Sequence, residues 1–111
     1  MLAKKYRLPI QTAVGKKGKE FRFPDFLIKI LPGPENFSRF GVVLKKGSVK
    51  NASERNRIRR AILESIRMRR KDHDIPENDF LIITGSGISG MTGADIKKEI
   101  SDAFDVIMKQ R

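Results

Sequence analysis

The chain runs to 111 residues, a length suited to one domain around one modest core. With 39% hydrophobic and 33% charged residues the composition is globular, and the lack of cysteine excludes disulfides, thiol nucleophiles and zinc–thiolate sites. Twenty-four Lys and Arg against thirteen Asp and Glu give a net charge of +11, which points to a polyanionic partner. The charge is uneven: +6 over residues 1–44 (nine basic, three acidic), +9 over 45–71 (eleven, two) and −4 over 72–111 (four, eight). The middle segment concentrates the positive field, as a docking face would. The longest apolar runs, such as Phe80 to Ile83, are far too short to cross a bilayer. Met1-Leu2-Ala3-Lys4-Lys5 has no apolar signal core, so a cytoplasmic protein is expected.

Residues 1–111 read as a single domain, without repeats or a separating linker. Residues 9–16 read as a short helical turn bounded by Pro9 and Gly15. Phe21 to Leu31 reads as one extended run, with Pro24 at an edge or bulge. Pro32-Gly33-Pro34-Glu35-Asn36 is a turn cluster, and Phe37 to Leu44 is the next strand. These two runs are expected to pair as an antiparallel hairpin.

The spacing predicts a helix over 51–71. Asn51 stands at the cap and Glu54 follows at the capping-box distance, its carboxylate near the positive helix end. Ile58, Ile62 and Ile66, flanked by Ala61 and Ser65, form a narrow apolar stripe that packs on a sheet. Asn56, Arg59, Arg60, Arg67 and Lys71 fall on the other side, with Arg57 at the margin and Arg55 nearer the stripe. A polar loop from Asp72 to Asn78 leads into Phe80-Leu81-Ile82-Ile83-Thr84, a strand buried on both faces. Gly85 to Gly93 reads as a flexible loop. A last helix starts at Thr92, with Asp95 three residues on, and buries Ile96, Ile100, Ala103, Phe104 and Ile107. The order β-β-α-β-α makes a small α/β sandwich.

The block Arg55-Asn56-Arg57-Ile58-Arg59-Arg60 carries the functional signal. Guanidinium groups make paired charge-assisted hydrogen bonds to phosphate and stay ionised, and an asparagine among them can both donate and accept. The like charges at i and i+4, Arg55/Arg59 and Arg67/Lys71, repel unless an anion binds between them. Arginines this dense exceed what a merely solvated helix face needs.

Phe40-Gly41-Val42-Val43 running into Lys45-Lys46, then Asn51-Ala52, then the arginine block, resembles the protein subunit of bacterial ribonuclease P and its RNR helix. The resemblance extends upstream through Arg7-Leu8, Gly18-Lys19 and Phe26 to Leu31, and downstream through Asp79 to Ile83 and the closing helix. It implies a two-layer α/β sandwich with a short N-terminal helix, a central sheet and a left-handed βαβ crossover. It also implies a protein without catalytic residues. The partner RNA would perform magnesium-dependent hydrolysis that removes the 5′ leader of precursor tRNA, with no protein ligands assigned to Mg2+. The RNR helix would dock on that RNA, and the single-stranded leader would lie in a cleft between that helix and the sheet. The RNA-facing candidates carried over are Lys45, Lys46, Arg55, Asn56, Arg57, Arg59 and Arg60, with the flanking Lys50 and Arg67 added.

Three departures from the family pattern bear on the leader. Gly47-Ser48-Val49-Lys50 lengthens the connection into the helix, and Ser53 replaces a usual valine. Gln11 and Gly15 stand where cleft aromatics are common, and Lys29 stands where a tyrosine is common. Leader binding is therefore expected to lean on charge at Lys29, with Phe21 and Phe23 as the aromatic candidates on one strand face.

Other signals are weaker. Gly85-Ser86-Gly87-Ile88-Ser89-Gly90 spells a dinucleotide fingerprint, but a helix is expected after it rather than the further strand with an acidic residue that such a site requires. His73 with Asp72 and Asp74 lacks a second ligand cluster. A small ribosomal-type RNA-binding module would explain the charge but not the RNR block. A DNA-binding helix-turn-helix lacks its first helix here, and the isoleucine–alanine stripe lacks the bulky face of a membrane-inserting helix.

Overall fold

Pro24 has no N–H to give to a ladder, and at this point the expected single run from Phe21 to Leu31 folds back on itself. In a computed structural model, which describes residues 7–8, 17–32, 38–45, 51–71 and 78–109, it becomes two strands, β1 (Lys19–Arg22) and β2 (Phe26–Pro32). They pair antiparallel, and Phe23 N–H donates to the Phe26 carbonyl at 2.9 Å to close the turn. The proposed helical turn over 9–16 lies outside the described residues.

The chain continues through β3 (Arg39–Leu44), α1 (Ala52–Lys71), β4 (Asn78–Thr84), a 3-10 turn (Ser86–Gly90) and α2 (Gly93–Lys109). The sheet order is β1-β2-β4-β3. The hairpin expected between the runs 21–31 and 37–44 is therefore corrected: β4 lies between β2 and β3, antiparallel to β2 and parallel to β3. Phe80, Leu81 and Ile82 are almost wholly buried, so β4 needs both edges paired and both faces covered, and it takes the centre. The parallel β3–β4 pair is joined through α1, a βαβ unit of the kind the resemblance implies. The outer edge of β3 takes a further parallel bridge from Arg7, with Leu8 N–H on the Phe40 carbonyl at 2.8 Å.

Both helices bury their stripes on one face of the sheet, giving the two-layer α/β sandwich. Ile58, Ile62 and Ile66 of α1 join Ile96, Ile100, Phe104 and Ile107 of α2 over Ile28, Phe40, Val42, Phe80 and Ile82. The isoleucine stripe thus packs against α2 as well as the sheet. Phe80 and Phe104 meet edge-on with centroids 5.4 Å apart, a favoured aromatic geometry. The caps form as the sequence predicts: Asn51 Oδ1 accepts from Ser53 and Glu54 N–H at 2.8 and 3.4 Å, and Thr92 Oγ1 accepts from Asp95 N–H at 3.1 Å.

The expected flexible loop after β4 is instead a 3-10 turn pinned by the fully buried Ile88. Gly85 N–H donates to the Asp25 carbonyl at 2.8 Å, and a side chain at Gly87 would run into the Asp25 carboxylate. A larger residue at 87 would require that carboxylate, the end of a flexible side chain, to swing aside. On the other face of the sheet, Leu8, Leu31 and Leu81 form a second small cluster with Val43 and Ile83 against it.

Candidate nucleic-acid interface

The apolar stripe of α1 fixes which side of the helix faces water. With Ile58, Ile62 and Ile66 inward, Asn56, Arg59, Arg60 and Arg67 are exposed as the spacing predicts, and so are Arg57 at the margin and Arg55, which the spacing placed nearer the stripe. Their roles nevertheless differ. Arg59 Nη1 lies 3.5 Å from Asn56 Oδ1, a long contact that holds two of the candidates side by side. These two, with Arg60, Leu63 and Glu64, line a shallow depression of about 190 Å³ along the helix. Among the described residues, Arg55, Arg59 and Arg60 form no ion pair with an acid, so their charge faces outward uncompensated.

Arg57 and Arg67 are partly committed within the protein. Arg57 Nη1 donates to the Met91 carbonyl at 3.0 Å, and its Nη2 lies 3.6 Å from Glu54 Oε1. Arg67 grips Glu64 through Nη2 at 2.5 Å and Nε at 3.3 Å. The Arg67 hydrogen bond holds the Glu64 carboxyl below the usual carboxylate range, and the same contact raises the Arg67 guanidinium. Lys45 is exposed at the end of β3, while Lys46 and Lys50 lie outside the described residues.

The three leader candidates do not line one site. Phe21 is 9% exposed and belongs to the helix-side core, with the Lys19 ammonium 5.1 Å from its ring centroid. Phe23 is half-buried and stacks on Phe26 at 5.1 Å, also on the helix side. Lys29 points to the opposite face, across from Glu20 on β1 and Leu81 on β4. The cleft expected between the RNR helix and the sheet is closed, because Ile58, Ile62 and Ile66 fill it at 0% exposure. A nucleic-acid strand has no room there.

Two further arginines, which the sequence does not single out, are structural. Arg39 makes a paired bond to Asp79 across β3 and β4, Nε to Oδ1 at 2.9 Å and Nη2 to Oδ2 at 2.7 Å. Arg69 reaches from α1 to the Ser101 carbonyl at 2.9 Å, the Ser101 hydroxyl at 3.1 Å and the Asp105 carboxylate. Among the described residues no group of three or more His, Cys, Asp or Glu is placed to hold a metal ion, and no helix is long and apolar enough to cross a membrane.

This arrangement, a basic helix face on a β-sheet sandwich, coincides with a match of the ribonuclease P family model to residues 4–108. The chain belongs to the ribonuclease P family. It is similar to the ribonuclease P protein component of Acinetobacter baylyi, 31% identical over 87 residues that cover 78% of this chain and 65% of that protein. It is also similar to the component of Photobacterium profundum, 33% identical over 75 residues, covering 68% of this chain and 62% of that one. The matched region spans a little under two thirds of the length of these relatives. The fold is similar to that of a Staphylococcus aureus RNase P protein mutant with defective mRNA degradation activity, with TM-score 0.84, 24% identity, and 94% of this chain and 89% of that one covered. It is likewise similar to the Thermotoga maritima RNase P protein, with TM-score 0.75, 22% identity, and 90% and 96% covered.

Proposed function

We propose that this chain is the protein subunit of a cytoplasmic ribonuclease P ribonucleoprotein that removes the 5′ leader from precursor tRNA. The observation that carries this reading is the water-facing side of α1, where Arg55, Asn56, Arg59 and Arg60 present uncompensated positive charge and hydrogen-bonding capacity together. The chemistry is assigned to the partner RNA with its magnesium ions. The protein supplies cations where two polyanions, the catalytic RNA and the precursor, must meet. Arg55, Arg59 and Arg60 are the primary phosphate contacts, with Asn56 held beside Arg59 for a sugar or base-edge hydrogen bond. Arg57 and Arg67 contribute charge from positions already anchored to the fold.

The leader is assigned to the face of the sheet away from the helices, where Lys29 supplies the cation. With Phe21 in the core, charge rather than aromatic stacking carries leader binding.

The test is cleavage of precursor tRNA by a bacterial ribonuclease P RNA at low magnesium, with and without this protein. Stimulation by the unaltered protein that is lost with Arg59→Ala/Arg60→Ala is expected. RNA binding with no stimulation by any cognate RNA would overturn the subunit reading and leave a simple RNA-binding module.

A further inference from the structure

Beside the depression on α1 lies a second cavity, of about 290 Å³, where α1 meets the start of α2. Its walls are Arg57, Arg60, Ala61 and Glu64 from one helix and Gly93 and Lys97 from the other. The α1 residues recur at the spacing that lines one side of a helix. Lys97 is held opposite them because its backbone carbonyl accepts the Ser65 hydroxyl at 3.1 Å. On the Gly93 side none of the described residues lies within 4 Å of where a side chain would begin, so this wall is open toward them.

The charges in the cavity are unequal. Glu64, its single carboxylate, is turned onto Arg67 by two hydrogen bonds, at 2.5 and 3.3 Å. Arg57 is occupied by Met91 and Glu54 and stiffens the wall. Arg60 and Lys97 remain, two cations from two helices that form no hydrogen bond or ion pair with an acid among the described residues; Lys97 acts on Glu64 through its charge alone, without a direct contact. Arg60 also lines the depression shared with Asn56 and Arg59, so the two hollows adjoin at this side chain.

We infer that Arg60 and Lys97 form a seat for one backbone phosphate of the docked RNA, which extends the interface from the arginine block onto α2. This rests on the docking role of α1 given above. Lys97 thereby becomes an RNA contact outside the RNR block, in the part of the chain whose net charge is negative. Two cations on separate helices sharing one anion would also clamp α1 to α2 when RNA binds.

The experiment is equilibrium binding to a transcribed bacterial ribonuclease P RNA over about 50 to 200 mM salt, where phosphate contacts are read as a slope. The proteins compared are the unaltered chain, Lys97→Gln, Lys97→Arg, Arg60→Gln, Lys97→Gln/Arg60→Gln, Arg59→Gln and Lys98→Gln. Lys97→Gln is expected to weaken binding about tenfold, as for loss of one charged hydrogen bond, and Lys97→Arg to restore most of it. Because both cations serve one phosphate, the double variant should lose less than the product of the single losses, and its salt slope should fall by no more than about one. Lys98→Gln, which carries the same charge change away from the cavity, should bind normally. Unchanged affinity in Lys97→Gln, or fully independent losses in the double variant, overturns the seat. If Arg59→Gln weakens binding in that case, the docking face stands and only the seat falls. If Arg59→Gln is also without effect, both fall.

Discussion

Arg57 Nη1 donates to the backbone carbonyl of Met91 at 3.0 Å, so an arginine of the RNR block also fastens α1 to the segment leading into α2. Arg59, two positions on, has Asn56 as its polar neighbour on the same helix. Adjacent arginines in one block therefore divide their work between holding the fold and meeting an anion.

The division predicts separable effects. Arg59→Ala should weaken RNA binding and flatten its salt dependence by about one unit of slope while leaving Tm unchanged. Arg57→Ala should weaken binding and also lower Tm by a few degrees, because an exposed hydrogen bond of this kind contributes about 1 kcal/mol. Parallel melting curves and salt titrations of the two variants check this; equal Tm values would mean that the Met91 contact contributes nothing.

Arg69 is the opposite case. Its side chain is 11% exposed and is spent on Ser101 and Asp105 of α2. Arg69→Ala should cost about 2–4 kcal/mol by stripping partners from part-buried polar groups, and the protein that remains folded should bind RNA with an unchanged salt slope. Denaturant titration gives the first quantity and filter binding the second. A reduced slope would place Arg69 in the interface.

How far the sequence was legible follows from these residues. The helices, their caps and their buried stripes could be read from spacing alone, because 3.6-residue periodicity and capping are local. The sheet order could not: which strands pair is decided by β4 needing neighbours on both edges, and those neighbours are distant in sequence. Nor does composition separate an arginine facing water from one facing a carboxylate, although Glu64 and Arg67 stand at a spacing that announces their pair. The leader candidates show how one local event propagates. In an unbroken strand Phe21, Phe23 and Lys29 would share a face, since all are odd-numbered. The turn at Pro24 breaks that parity, pairing Phe21 with Ile28 and Lys29 with Glu20.

A pH effect follows from Glu99. Burial, then the neighbouring Asp25 of the β1–β2 turn, then Asp95 and Asp102 of α2 raise its carboxyl above the ordinary 4.5. One of its oxygens, Oε2, is buried and has no hydrogen-bond partner among the described residues. Because the folded pKa lies above the unfolded one, the folded chain holds this proton more tightly. The contribution of Glu99 is most favourable below the unfolded pKa and is lost as pH rises through the folded one. Glu99→Gln is therefore expected to raise Tm at pH near 7 and to bring no gain near pH 4. A Tm that falls at neutral pH would show that the ionised carboxylate has a stabilising partner.

Lys29 is 9% exposed, with its aliphatic stem on the sheet face opposite the helices and Glu20 across from it on β1. A lysine so placed can keep its stem on apolar neighbours and bring its ammonium to the surface. A leader phosphate on this face would meet Lys29, whereas it would meet neither Phe21 nor Phe23. Lys29→Ala should then reduce the preference for precursor over mature tRNA about fivefold, the loss of one charged contact of roughly 1 kcal/mol, with affinity for mature tRNA unchanged. Phe21→Ala should instead cost about 3 kcal/mol of stability by opening a cavity at the end of the core, with the precursor preference retained in the folded fraction. The pair is measured as precursor and mature tRNA affinities of the reconstituted holoenzyme, beside denaturant titrations of the protein alone. An unchanged preference in Lys29→Ala, or its loss in a folded Phe21→Ala, would move the leader off this face of the sheet.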